Sequence, residues 1–191
     1  MIIEGIVTTT NPDGGMHVAA MGPAVDNGER LAGRITRLVL RPFATSHTAA
    51  NLARVPAGVF HLTDDVLLLA RIVAGRLDDG TASRPADRVP GWVLVDACQA
   101  WEFSIDAADV SGPRSELSAR VEAVHAGRPF IGFNRAAHAV VEAAILVTRL
   151  HILERDEIRR QFADLRVLVE KTGGPREHEA FSILAERVAA A

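Results

Sequence analysis

An α+β fold is predicted by two contrasts along the chain. Up to about residue 130, runs rich in β-branched residues are broken repeatedly by turn signals. After Pro129 the character changes to Ala-rich and amphipathic segments without strand-like alternation. One helical pattern interrupts the first part. Many short strands with turn signals suggest a small barrel, and the segregation of strands from helices sets the class. The organisation expected is a barrel over 1–130 and a C-terminal helical subdomain over 131–191.

The elements follow in order. "IIEGIVTTT" is β-branched and stops at "NPDGG", a strong turn signal; "MHVAAMG" resumes the strand, so residues 2–22 read as a hairpin. "RITRLVLRP" alternates, with Ile35, Arg37, Val39 and Arg41 on one face and Thr36, Leu38 and Leu40 on the other. Residues 48–54 suit one or two helical turns before Pro56, and "AGVFHLT" a short strand. "DDVLLLARIVAGRL" reads as a helix capped by Asp64 or Asp65 and weakened at Gly75. "RPADRVPG" is loop. "WVLVDACQAWEFSIDAADV" is one long strand or two short ones, and "ELSARVEAV" is another. Three helices complete the chain. The first runs from about Asn134 to His151; the second is "ERDEIRRQFADLRVLVEKT", ended by Gly173 and Gly174; the third is opened by Pro175.

Composition narrows the function classes. The chain has 191 residues, 48% of them hydrophobic, which suffices for one full core or a core with an appended helical part. The net charge is −3 with the two signs interspersed, which argues against nucleic acid and anionic membranes as partners. Cys98 is the single cysteine, so no internal disulfide forms and a reducing, cytoplasmic setting fits. "MIIEGIVTTTNPDGG" lacks the basic and apolar regions of a signal peptide. The apolar stretch "AAHAVVEAAILVTRL" is interrupted by His138, Glu142 and Arg149 and is too short and polar to span a bilayer.

"RPFATSHTAANL", residues 41–52, concentrates small hydrogen-bonding side chains where a helix begins. Backbone N–H groups there lack intrahelical partners, and the helix dipole favours an anion. Hydroxyls of Ser46 and Thr48, the amide of Asn51 and the guanidinium of Arg41 suit a phosphate. The same pattern also fits an ordinary N-cap beside a solvated arginine. No Walker or dinucleotide glycine fingerprint is present.

Other polar features carry less. Arg135, His138, Glu142 and Arg149 share one stripe of the long helix, which is either a solvated face, or a buried polar network or wall of the ligand cleft. Cys98 reads as a structural thiol, and Trp92 and Trp101 as core or interface residues. "TDD" at 63–65 reads as a cap. No Ser-His-Asp arrangement, zinc-binding pattern or assignable acid or base emerges.

The hairpin "VTTTNPDGGMHVAAMGP", the strand after it, and then "SHTAANL" and "GVFHLTDD" together resemble the FMN-binding split barrel of the flavin-reductase-like superfamily. "GFNRAAHAVVEAAILVTRLHIL" followed by "VEKTGG" resembles the C-terminal signature of one branch of these flavoproteins. That branch bears a domain-of-unknown-function label and is associated with tetrahydromethanopterin-linked one-carbon metabolism. At His61 the branch's "VN-T-DD" pattern carries asparagine instead. The resemblance implies Met21 and Gly22 beside a flavin ring, and Ser46, His47, Thr48 and Asn51 on the phosphate of flavin mononucleotide (FMN). It also implies a homodimer with the cofactor at the subunit interface, and hydride or electron transfer on a small-molecule ligand. The alternatives are a non-catalytic flavin or pterin binder or scaffold, and a reductase that holds a deazaflavin.

Overall fold

A computed structural model describes residues 1–78 and 80–190. The chain forms two compact units. One comprises Met1–Thr63 and Ala82–Pro129; the other comprises Asp64–Thr81 and Phe130–Ala191.

The first unit is built on strands β1 (Gly5–Thr10), β2 (Met16–Met21), β3 (Arg37–Leu40), β4 (Ala57–Leu62), β7 (Gln99–Asp109) and β8 (Glu116–Ala126), and they form one sheet in the order β2-β1-β4-β7-β8-β3. Every pairing in it is antiparallel. Just beyond β2, Ala24 exchanges both backbone hydrogen bonds with Val39 of β3, each 2.9 Å long. The two edges of the sheet therefore meet and the sheet curls into a barrel, which removes its open edges.

Period-two alternation decides which side chains fill it. Val7, Leu38, Leu40, Phe60, Phe103 and Leu117 point inward as one buried cluster. Phe60 and Trp101 meet there with ring centroids 5.6 Å apart. Gly5 is required by a close approach: a Cβ at this position would meet the carbonyl of His61 and the ring of Phe60. The opposite face of β4 and β7 is covered by a small hairpin of β5 (Ser83–Pro85) and β6 (Trp92–Leu94), where Val59, Val93 and Ala100 pack together. The segment from Trp92 on thus forms two strands, β6 and β7, rather than one.

Two helices accompany the barrel. The short α1 (Asn27–Leu31) is capped by Asp26, which accepts from the N–H groups of Gly28 and Glu29. Five residues give too little periodicity to be read from sequence. Helix α2 (His47–Arg54) is capped by Ser46 and buries Thr48, Ala49, Asn51 and Leu52.

The second unit is helical: α3 (Val66–Ala74), α4 (Arg135–Thr148), α5 (Arg155–Thr172) and α6 (Pro175–Ala189). It is not a contiguous tail, since α3 belongs to it although it lies between barrel strands in the sequence. Asp65 caps α3 through the N–H of Leu68, and Gly75 ends it in the left-handed conformation at φ 69°. Arg71–Glu179, Arg76–Glu186 and Asp65–Arg176 ion pairs of 2.7–2.8 Å join α3 to α6. Such exposed pairs contribute at most about 1 kcal/mol each, so burial does most of the work. Ala136, Ala139, Val140, Ala143, Ala144 and Val147 form the buried face of α4, and their small side chains permit close helix packing. Arg135, His138, Glu142 and Arg149 are all exposed, so they form no polar network buried within the chain. No helix among the described residues is long and apolar enough to cross a membrane.

Candidate functional site

The residues of the 41–52 turn divide into three groups. Arg41 follows β3 on the surface, where its Nε donates to Glu116 at 2.9 Å and its carbonyl accepts from Arg114. Ser46 is the N-cap: its Oγ accepts from the N–H of Ala49 at 3.1 Å. That bond uses an oxygen lone pair and leaves the hydroxyl proton available. His47 and Thr48 occupy the first turn, where no acidic side chain stands. Their backbone N–H groups have no hydrogen-bond partner among the described residues.

Beneath this turn lies a polar layer. Asn51, buried, donates through Nδ2 to Thr9 Oγ1 at 3.1 Å and to Asn11 Oδ1 at 3.0 Å, and its Oδ1 accepts from Arg54. A second Arg54 hydrogen bond reaches the carbonyl of Thr10. Both Asn51 amide protons thus fasten α2 to Thr9 of β1 and to Asn11 just beyond it. Thr48, also buried, has its Oγ1 3.2 Å from Nε2 of His17 on β2. The His17 and His47 rings lie 5.9 Å apart between centroids. Burial, and then the neighbouring His47, hold the His17 imidazolium below its ordinary pKa of 6.5.

Strand β2 links this turn to the other expected subsite. Thr9 pairs with His17, Val7 with Ala19 and Gly5 with Met21. His17, Ala19 and Met21 therefore share one face, with about 13 Å from the first to the last at roughly 3.3 Å per residue. Met21 packs at the edge of the barrel core. Gly22 follows directly, and a Cβ there would contact Ile2 and the Glu4 carboxylate. His17 is not among the residues that the sequence alone singles out for the site. The signal that finds it is the two-residue period, which puts it on the same face as Met21.

A second polar cluster lies under the β5–β6 hairpin. Glu102, fully buried, accepts from the N–H groups of Asp87 (2.6 Å), Arg88 (2.7 Å) and Val89 (3.0 Å) and from His125 Nε2 (2.6 Å). Burial pushes its pKa up; the Asp87 N–H, His125 and the Arg88 and Val89 N–H groups outweigh that and leave it below the ordinary carboxylate value. His125 donates from Nε2, so its Nδ1 is free to accept from Arg84 at 3.1 Å. Asp87, Glu102 and His125 bring ligating atoms within 4.8 Å of one another. Both Glu102 oxygens already face N–H donors, so this cluster is built to pin the 87–89 loop rather than to coordinate a cation. His61 does similar work nearby. Its Nδ1 donates to the carbonyl of Ile6 at 3.2 Å and its Nε2 accepts from the N–H of Leu94 at 3.0 Å.

Models of two parts of one family match the chain: "Protein of unknown function (DUF447) N-terminal domain" over residues 3–128 and "Protein of unknown function (DUF447)" over residues 134–186. The chain belongs to the DUF447 family. A family member of known structure, the FMN-bound protein MM1853 from Methanosarcina mazei, superposes with a TM-score of 0.81 at 20% identity, covering 97% of this chain and 94% of that one. The flavin reductase of styrene monooxygenase from Pseudomonas putida S12 matches with a TM-score of 0.52 at 12% identity, over 66% of this chain and 80% of the other. An FMN-binding protein from Thermus thermophilus matches with a TM-score of 0.54 at 13% identity, over 66% and 76%. No curated protein matches the sequence. The likeness establishes the DUF447 chain as an α+β protein with a barrel of the flavin-reductase type and C-terminal helices.

Proposed function

We propose that the chain is an FMN-binding flavoprotein that uses the bound flavin for hydride or electron transfer. The observation that carries this reading is the start of α2. Two unpartnered backbone N–H groups, a capping serine with a spare proton and two imidazoles converge there, with no carboxylate in the first turn. That set is short of negative charge and rich in donors, so it fits a phosphate monoester. The structural likeness to an FMN-bound member of the same family supports the choice of ligand.

On this reading Ser46, His47 and Thr48 hold the phosphate. Asn51 fixes the helix that presents them, and Met21 stands at the other end of the β2 face, with Gly22 just beyond it, toward the ring. FMN supplies the redox chemistry; the chain binds, orients and excludes water. Arg41 ion-pairs with Glu116 on the surface and would join the phosphate by leaving that carboxylate, an exchange that costs at most about 1 kcal/mol. The reading includes a homodimer with the cofactor at the interface. Support comes from the exposed Phe130, Ile131 and Phe133, since a cluster of exposed apolar residues favours a covering partner. It also carries the pathway context that the sequence resemblance implies, tetrahydromethanopterin-linked one-carbon metabolism in the cytoplasm.

The test is the absorbance of the purified protein and the mass of the ligand released from it. Flavin absorbance with an FMN mass is the expected result. A deazaflavin or pterin mass would replace the cofactor assignment. A colourless protein that gains no flavin on incubation with FMN would remove it.

A further inference from the structure

His17 lies outside the phosphate turn in sequence and on a different element, yet it faces that turn directly. Its Nε2 is 3.2 Å from the hydroxyl of Thr48, and its ring centroid is 5.9 Å from that of His47. We propose that His17 is a phosphate contact that acts as an imidazolium, so that binding of the phosphate group takes up a proton. This rests on the reading of the α2 start as the FMN phosphate site.

The effect is electrostatic. The titratable and charged side chains on the elements around His17 are His47 and Arg54 on α2 and Asp13 in the β1–β2 turn. Thr9, its direct strand partner, is neutral and is hydrogen-bonded to Asn51. Arg54 points to the Thr10 carbonyl and Asn51, and Asp13 accepts from the Gly15 N–H. Glu4 stands against Gly22, at the far end of β2. Among the described residues no carboxylate pairs with either imidazole. His17 therefore sits half-buried beside a second imidazole and the positive end of a helix, an environment that opposes its charging. A phosphate dianion reverses the sign of that environment. The group that resisted a proton in the free protein then gains an opposite charge at close range, and linkage requires proton uptake on binding.

The expected signature is a pH dependence carried by the phosphate alone. Above pH 7 a phosphate monoester is largely dianionic, so changes there report the protein. FMN binding should weaken roughly tenfold between pH 7.0 and 8.5, since one linked proton changes affinity up to tenfold per pH unit. Riboflavin, which lacks the phosphate, should show a flat profile. Inorganic phosphate should compete with FMN less well at pH 8.5 than at pH 7.0. Calorimetry at pH 7.5 in buffers of different ionisation enthalpy should count a substantial fraction of one proton taken up with FMN and none with riboflavin. His17→Gln keeps a hydrogen-bonding group toward Thr48 and should abolish most of that uptake.

FMN bound more tightly than riboflavin, but with no proton uptake and a flat profile, overturns the proposal and leaves the site standing. Uptake that survives His17→Gln and vanishes in His47→Gln moves the proton to His47 and also overturns it. Equal affinity for FMN and riboflavin overturns the proposal and the phosphate site together. The wild-type calorimetry decides the proton count even where a variant folds poorly.

Discussion

His61 shows how a single buried side chain couples the barrel to pH. Burial lowers its pKa to about 4, outweighing its hydrogen bond to the Ile6 carbonyl. The unfolded chain binds that proton near 6.5 and the folded chain only near 4, so between these values the unfolded state holds more protons. Stability therefore rises with pH across this window: the contribution is complete above about 6.5 and is lost as pH falls toward 4. A difference near 2.5 pKa units corresponds to about 3 kcal/mol at most. Urea melts at pH 7.5 and 4.5 should show a loss of about 2–3 kcal/mol at the lower pH attributable to this residue. His61→Asn keeps one donor and one acceptor without the titration, and should flatten the profile by that amount. An unchanged profile in the variant would assign the pH dependence elsewhere. Glu102 makes the complementary case. Glu102→Gln turns an amide group toward backbone N–H donors that a carboxylate accepts. Leaving buried donors unpaired costs about 1–3 kcal/mol each, so a loss near 3 kcal/mol is expected in denaturant melts. Hydrogen exchange should quicken at Asp87, Arg88 and Val89 and stay unchanged in α5.

At the scale of elements, the strands and long helices were legible because their periods are unambiguous. Leu38 and Leu40 alternate with exposed or half-exposed neighbours, and the apolar face of α4 recurs at three and four residues. Of the two aspartates legible as a cap for α3 the structure uses Asp65, with Gly75 at the other end, and Ser46 caps α2. Helix α1 and strand β5 were illegible because five and three residues carry no period. The grouping of α3 with the C-terminal helices was illegible for another reason: it depends on contacts more than 100 residues away, such as Arg71–Glu179. The candidate site was legible in part. The donors of the α2 turn could be read from composition, but His17 enters only through strand register, and the Glu102 pin only through the approach of the 87–89 loop to β7. Gly5→Ala tests the register directly. A methyl group there meets the His61 backbone and the Phe60 ring, neither of which yields easily, so about 2 kcal/mol of stability should be lost. Ser46→Ala tests α2. Loss of the cap should cost about 1 kcal/mol of stability. If the hydroxyl also donates to a phosphate, FMN affinity should fall about tenfold with riboflavin affinity unchanged. Equal losses for both ligands would reduce Ser46 to a cap.

The whole molecule joins a barrel whose sheet edges meet to a helical unit with exposed aromatic residues at its start. Phe130 and Phe133 stack edge-on at 5.7 Å, and Phe133 meets His138 at 5.8 Å, while Ile131 between them is exposed. A homodimer with an interface above about 2,000 Å² in total should give a light-scattering mass twice the 20.5 kDa of the chain. A monomer mass at micromolar concentration would contradict the interfacial cofactor. On the proposed function, the start of α2 holds the phosphate of FMN whatever the assembly. The most direct measurement is a titration of ligand-free protein with FMN and with riboflavin at pH 7. At least tenfold tighter binding of FMN, from one or more charge-assisted hydrogen bonds to the phosphate, is the predicted result. Equal affinities for the two, or binding of neither, would contradict it.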